Sequence, residues 1–478
     1  MHSLDVTVIV VYLLATLALG IYLAIRTKTA EDFFVAGKRL PFWAIGMSLV
    51  VSDIGAIEMI GGTGGAFRHG ITQANYEWIG CVPAMIIGGL LFIPLYWRTG
   101  IYSVPEFLGT RFGPVVRTLL AIVWCVFLAA LLSTFFEASA KMFEDVLGWD
   151  RWVTISVVAV LVGVYTAGGG LGAVVVTDVI QCVVLFIGGM ILAFVGLAEV
   201  GGIDGLMTKI DASGPDLAHH LDLLIPVGAD TDFPWTGVLL GLGLVLSPAY
   251  WLGNQAIVQR TLGAKSEWDA KASMLFGAFL KTIVPIAFVL PGLLGLFLLS
   301  DVVDPDLDKV YPLLIEKLLP VGVRGILYAA FLAALMSSVD SYANSAATIF
   351  TRDIYCRFFG NEKTNPLLVG RVTCIVTILL GVALVPLVDN FENGIFEAFQ
   401  SYLAFFQGPT LVLLLAGVLW RRASAVGALA TLLGGIAVSA TLTSLKVHFL
   451  HVAFWSFAAS VVLMVSASLL RPDVEVAK

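Results

Sequence analysis

Val51-Ser-Asp53-Ile-Gly55-Ala-Ile-Glu58-Met-Ile-Gly61-Gly62-Thr-Gly64-Gly65 lies inside an apolar run that begins near Pro41 and is long enough to cross a bilayer. A glycine within a helix costs about 1 kcal/mol against alanine, and an ionised side chain at mid-membrane costs roughly 3 kcal/mol on insertion scales. Single glycines of this kind serve close helix packing. Four within five residues, beside two carboxylates, point instead to an interrupted helix. A second run, from Trp235, carries Gly241, Gly243, Ser247 and Pro248, and proline removes an intrahelical bond and clashes with the preceding turn. Interrupted helices in corresponding positions of two halves mark the binding site of a secondary transporter.

The rest of the chain supports a membrane setting. Of its 478 residues 59% are hydrophobic and 13% charged, against about 25% charged in an ordinary globular chain, and the mean hydropathy is +0.96. Apolar stretches of span length recur at 4–25, 42–65, 73–97, 114–141, 152–167, 171–199, 235–258, 272–300, 322–350, 366–388, 395–420, 424–445 and 449–470. They predict an all-α integral membrane protein of about thirteen transmembrane helices. The first run is read as a retained leading helix rather than a signal peptide, because no short charged segment precedes it. With that helix set aside, the interrupted helices are the first and sixth of twelve. This is the spacing of a five-plus-five inverted repeat, 42–199 and 235–420, followed by two additional helices in 424–470.

Basic residues divide 18 to 8 between the two sides of this arrangement, with Lys281 inside a span. The bias places the C-terminus in the cytoplasm and the N-terminus outside, in a plasma (inner) membrane. A net charge of −7 without a concentrated basic surface excludes nucleic acid as a partner. The partners expected are membrane lipid and a small-molecule solute, with no obligate protein partner. Five dispersed cysteines offer no metal or disulfide framework. An enzyme is not expected, since no HExxH, GxSxG or P-loop pattern is present; a solute sensor on a transporter scaffold is the alternative from another class.

Six charged residues fall within apolar runs: Asp53, Glu58, Glu137, Asp178, Lys281 and Asp340. They must line a wet cavity, pair with one another or bind a cation. In Ala334-Leu-Met-Ser337-Ser338-Val-Asp340-Ser341, the residues Ala334, Ser337, Ser338 and Ser341 share one helical face, with Asp340 on its shoulder. Hydroxyls so placed either bond back to the preceding turn or, with carbonyls from the interrupted helix at Val51 to Ile54, surround a hard cation.

These residues carry a resemblance. Tyr165-Thr-Ala-Gly-Gly-Gly-Leu171-Gly-Ala with Thr177-Asp178-Val-Ile-Gln181, Tyr76-Glu77-Trp78, Asn254-Gln255, Gln259-Arg260-Thr261, Phe279-Leu280-Lys281, Ser337-Ser338 and Ser345-Ala-Ala-Thr348-Ile-Phe350-Thr-Arg-Asp353-Ile-Tyr355 are similar to the sodium:solute symporter family, most of all its sodium/sugar branch. The resemblance implies the LeuT-like inverted-repeat fold and sodium-coupled import of a small polar solute by alternating access. It implies a sodium site formed by the carbonyls of Val51, Ile54 and Ala334 and the hydroxyls of Ser337 and Ser338. A second site, for a cation or a proton, maps to Asp178, Ser337, Asp340 and Ser341, with Asp340 where a serine is expected. No organic cofactor is implied; sodium is the coupling ion, with a proton as the alternative.

The substrate positions implied by the same resemblance are Asp53, Glu58, Trp78, Glu137, Ser247, Tyr250, Trp251, Lys281 and Gln400. Lys281, Gln400, Tyr250 and Trp251 match the sugar branch. Asp53 replaces an expected asparagine, Ile57-Glu58 a glutamate-glutamine pair, Gly80 a serine and Ser247 an asparagine, while Glu137 stands near an expected aromatic. Amides donate and accept toward hydroxyls, whereas carboxylates only accept. Two readings follow. A sugar or polyol would rest on Trp251 or Tyr250 and bond to Gln400 and Glu58, with Lys281 neutralising one acid. An amino acid or organic cation would place its ammonium among Asp53, Glu58 and Glu137, beside Trp78 and Trp251.

Overall fold

The computed structural model describes residues 2–217, 219–228, 231, 233–300, 306–390 and 395–472. Among them the regular structure is helical, with two isolated bridges, Leu40 to Ala264 and Ile225 to Pro234. Ten helices have the length and hydropathy of membrane spans, and two bent helix pairs add two more. One of the ten, Arg151–Glu199, has 49 residues. At 1.5 Å per residue that is about 74 Å, more than twice the hydrocarbon thickness. Gly170 divides it, with φ 59° and ψ −160° in an otherwise helical run. A Cβ there would lie 2.7 Å from the Cα of Phe33, so both the conformation and the approach require glycine. Counted as two spans, it brings the total to the expected thirteen.

Both interrupted helices are present, and the places where they break differ from the sequence reading. The first pair, Phe42–Asp53 and Ala56–Ala74, bends by 59° at Ile54 and Gly55, whose ψ values of 65° and 176° leave the helical region. The glycine run 61–65 that drew attention to it stays helical within Ala56–His69. Gly61, Gly64 and Gly65 lie hard against Phe396, Leu307 and Gln73, with no room for a side chain. Packing is what those glycines serve.

The second pair, Gly237–Gly253 and Gln255–Leu262, bends by 46° at Asn254, with φ −71° and ψ 123°. Pro248 is not the break. A π-helical stretch, Gly237–Leu246, precedes it, and the helix runs on through Pro248 to Gly253 without leaving helical backbone angles at Leu246 or Ser247. Asn254 then caps the following helix, its side-chain oxygen accepting from the amide of Ala256 at 2.9 Å.

The serine-bearing helix Val323–Ile349 is the axis of the molecule: 94% of its apolar window is buried, against 17% for the leading helix Ser3–Arg26. It packs on Arg151–Glu199 and Pro114–Leu147. The leading helix nevertheless reaches that axis. Asp5 is buried and its carboxylate accepts from the amides of Gly322 at 2.7 Å and Gly325 at 3.0 Å. A negative charge at a helix N-terminus is favourable to both the free amides and the dipole.

Candidate functional site

Two polar regions meet at the first break. On one side of it lies a narrow polar cavity. Its wall includes six of the nine substrate residues expected from sequence: Asp53, Glu58, Ser247, Tyr250, Trp251 and Gln400. The fully buried Lys281 stands behind this wall, its ammonium paired with Asp53 and, at 2.9 Å, with Glu77. It therefore pairs with two acids rather than one. Asp53, Glu77 and Cys81 converge closely enough to hold a metal ion, but the Lys281 ammonium already supplies the positive charge for the two carboxylates. The same ammonium lies 5.9 Å from the ring centre of Trp251.

Two expected substrate residues fall elsewhere. Trp78 is 36% exposed, and its indole N–H donates to the carbonyl of Thr282 at 3.1 Å. It is one residue beyond Glu77, so a helical step of about 100° turns it out of the cavity that Glu77 faces. Glu137 is buried on Pro114–Leu147 and pairs with Arg151 at 2.7 Å. Its charge is answered by a structural partner at the start of the next helix, not by the cavity.

The structure adds wall residues that sequence reasoning did not place in the site: Tyr76, Glu77, Cys81, Phe399, Leu403 and Gln407. Glu77 had a signal, since it lies beside Trp78 in a segment that carried the resemblance. Several polar atoms in this wall are buried without a hydrogen-bond partner: the hydroxyl of Tyr76, Oε2 of Glu77, Nε1 of Trp251 and Oε1 of Gln407. Leaving such atoms unpaired costs about 1–3 kcal/mol each.

On the other side of the break is the serine cluster. The Ser52 hydroxyl is 2.9 Å from that of Ser337, and the Ser338 hydroxyl donates to the carbonyl of Ala334 at 3.1 Å with the Ser52 carbonyl at 3.5 Å. Val51, Ile54, Ala334, Ser337 and Ser338 are all fully buried. The helix ending at Asp53 leaves its last carbonyls without intrahelical donors, while the Ser338 hydroxyl bonds back to the preceding turn of its own helix. Gly55 makes the approach possible, because a Cβ at that position would stand 2.5 Å from the Ser338 hydroxyl.

Asp178, Asp340 and Ser341 are also brought together, with a residue the sequence reading left out of the site. The guanidinium of Arg260 donates to Ser48 at 2.7 Å, to Ser52 at 2.5 Å, to Asp178 at 3.3 Å and to Ser341. Ser48 donates in turn to Asp178 at 2.5 Å. Asp340 accepts from the Tyr165 hydroxyl at 2.9 Å and from Ser341 at 3.1 Å. The positive charge that a second cation was expected to bring is thus supplied, in this arrangement, by Arg260. Its sequence signal was its place in Gln259-Arg260-Thr261, one of the segments that carried the resemblance.

A family model of the sodium:solute symporters matches residues 33–435. The chain belongs to the sodium:solute symporter family. A sodium/glucose cotransporter of Vibrio parahaemolyticus is 33% identical over 450 residues, covering 89% of this chain and 82% of its own length. The human sodium/myo-inositol cotransporter 2 is 32% identical over 480 residues, covering 94% and 70%. The solved structure of a sodium-coupled sialic acid symporter superposes with a TM-score of 0.85 over 98% of both chains at 24% identity, a likeness of fold. This symporter is therefore a multi-pass membrane transporter of the LeuT-like class, coupled to sodium, and not an enzyme.

Proposed function

We propose that this symporter imports a sugar or polyol together with sodium, inward across the plasma membrane with the N-terminus outside. The observation that carries the reading is the adjacency of Ser52 and Asp53. Asp53 belongs to the cavity wall, while the Ser52 hydroxyl and carbonyl belong to the serine cluster. A cation held by Val51, Ile54, Ala334, Ser337 and Ser338 would fix the end of the Phe42–Asp53 helix and with it the position of Asp53. The names of the relatives, a glucose and a myo-inositol cotransporter, favour a hydroxylated solute, and the unpaired polar atoms around Trp251 suit one. A helix bundle would rock about this site. One sodium charge crossing 100 mV supplies about 2.3 kcal/mol, which sustains roughly a fifty-fold solute gradient at about 1.4 kcal/mol per tenfold.

The test is uptake of labelled glucose and myo-inositol into proteoliposomes under an imposed sodium gradient, comparing wild type with Ser338→Ala and Asp340→Asn. Sodium-dependent uptake that needs at least about tenfold more sodium in Ser338→Ala is the expected outcome. Uptake that ignores sodium and follows a pH gradient, abolished in Asp340→Asn, would replace sodium by the proton.

A further inference from the structure

We infer that the solute carries an ammonium group as well as hydroxyls, and that Glu58 receives the ammonium. The inference rests on the proposed cavity being the transport site and concerns what that cavity selects. Three carboxylates, Asp53, Glu58 and Glu77, face it. Lys281 bonds two of them and is itself fully buried. Glu58 has no basic side chain within 4.0 Å among the described residues. It stands half-buried in the first turn of Ala56–His69, beyond the break. With one base for three acids, the cavity lacks positive charge, and a lone carboxylate in an apolar setting is costly until a cation or a proton answers it.

The wall's unpaired acceptors are Oε2 of Glu77 and Oε1 of Gln407. The unpaired donors are the Trp251 indole N–H and the Tyr76 hydroxyl. A neutral sugar offers one donor for each hydroxyl, whereas an ammonium adds three donors and a charge at one point. The Trp251 indole and Gln400 remain for the hydroxyls. The ligand class this wall describes is an amino sugar or amino polyol.

The experiment is thermal stabilisation of the purified full-length symporter in sodium-containing detergent, titrated separately with D-glucosamine, D-glucose, N-acetyl-D-glucosamine and choline, at a pH where the free amine is charged. A ligand of the folded state raises the melting temperature in proportion to its occupancy. Glucosamine is expected to bind at least about tenfold tighter than glucose or N-acetylglucosamine. Glu58→Gln is expected to bring that ratio to about one. Glucose binding the wild type as tightly as glucosamine would overturn the inference and leave sodium-coupled polyol transport standing. Stabilisation by choline alone would also overturn it, because a cation without hydroxyls or N–H donors would then suffice. Absence of any response, together with absence of sodium-driven uptake, would remove both the inference and the function on which it rests. The wild-type ratio decides the matter even where Glu58→Gln fails to fold.

Discussion

Lys281 is fully buried and touches two carboxylates, so its removal leaves Asp53 and Glu77 unanswered in a low-dielectric wall. Breaking a buried pair by deleting one partner costs about 3–5 kcal/mol. Lys281→Met is therefore expected to lower the melting temperature sharply, and adding Asp53→Asn should restore part of the loss. Thermal unfolding of the two single variants and the double variant gives the coupling; additive losses would show that the two groups do not interact energetically. Gly55 makes a different kind of contribution. A methyl group there would press on the Ser338 hydroxyl and on Phe135, so Gly55→Ala should raise the sodium concentration for half-maximal transport by about tenfold or more. Fold integrity is checked alongside by gel filtration. An unchanged sodium requirement would separate the break from the ion site.

At the scale of elements, the leading helix is tied to the serine-bearing helix through Asp5, whose carboxylate caps the amides of Gly322 and Gly325. Asp5→Ala removes a buried N-terminal acceptor and should cost about 1–2 kcal/mol; Asp5→Asn keeps an acceptor and should cost less. Melting curves of the two variants check the order. The elements themselves were readable in the sequence, since runs of about 20 apolar residues leave little choice but helices. The positions of the breaks were less so. Glycines 61–65 look like a break and are a packing surface, while the true break needs only Ile54 and Gly55. Pro248 looks like one and is carried inside a helix that is π-helical just before it, while the break falls at Asn254, whose signal is the capping preference of asparagine. A helix end depends on which neighbour takes its free carbonyls and amides, and that neighbour is remote in sequence. The same holds for the site. Six of the nine expected substrate residues lie in the wall, and they were legible because charged and aromatic groups are rare in spans. Trp78 and Glu137 were misplaced because composition cannot tell a charge or ring that faces a cavity from one satisfied by a partner such as Arg151 or Thr282.

For the whole molecule, the distribution of basic residues makes a prediction about sidedness. With the five native cysteines replaced, a cysteine at Lys209, in the helix after the Arg151–Glu199 span, is expected to react with an impermeant maleimide added to intact cells. A cysteine at Lys363, between Cys356–Phe358 and Pro366–Leu384, should react only after the cells are opened. The reverse pattern would invert the topology and the direction of transport with it. Motion across the bilayer is constrained by one further feature. Arg260 lies on Gln255–Leu262 and bonds Ser48 and Ser52 of Phe42–Asp53, Asp178 of the long helix and Ser341 of the central one. One guanidinium thus welds four segments into a slab, on the same side of both breaks. The rest of each bent span can turn against that slab only at Ile54–Gly55 and at Asn254, so the swivel of this machine is confined to two short joints in the backbone.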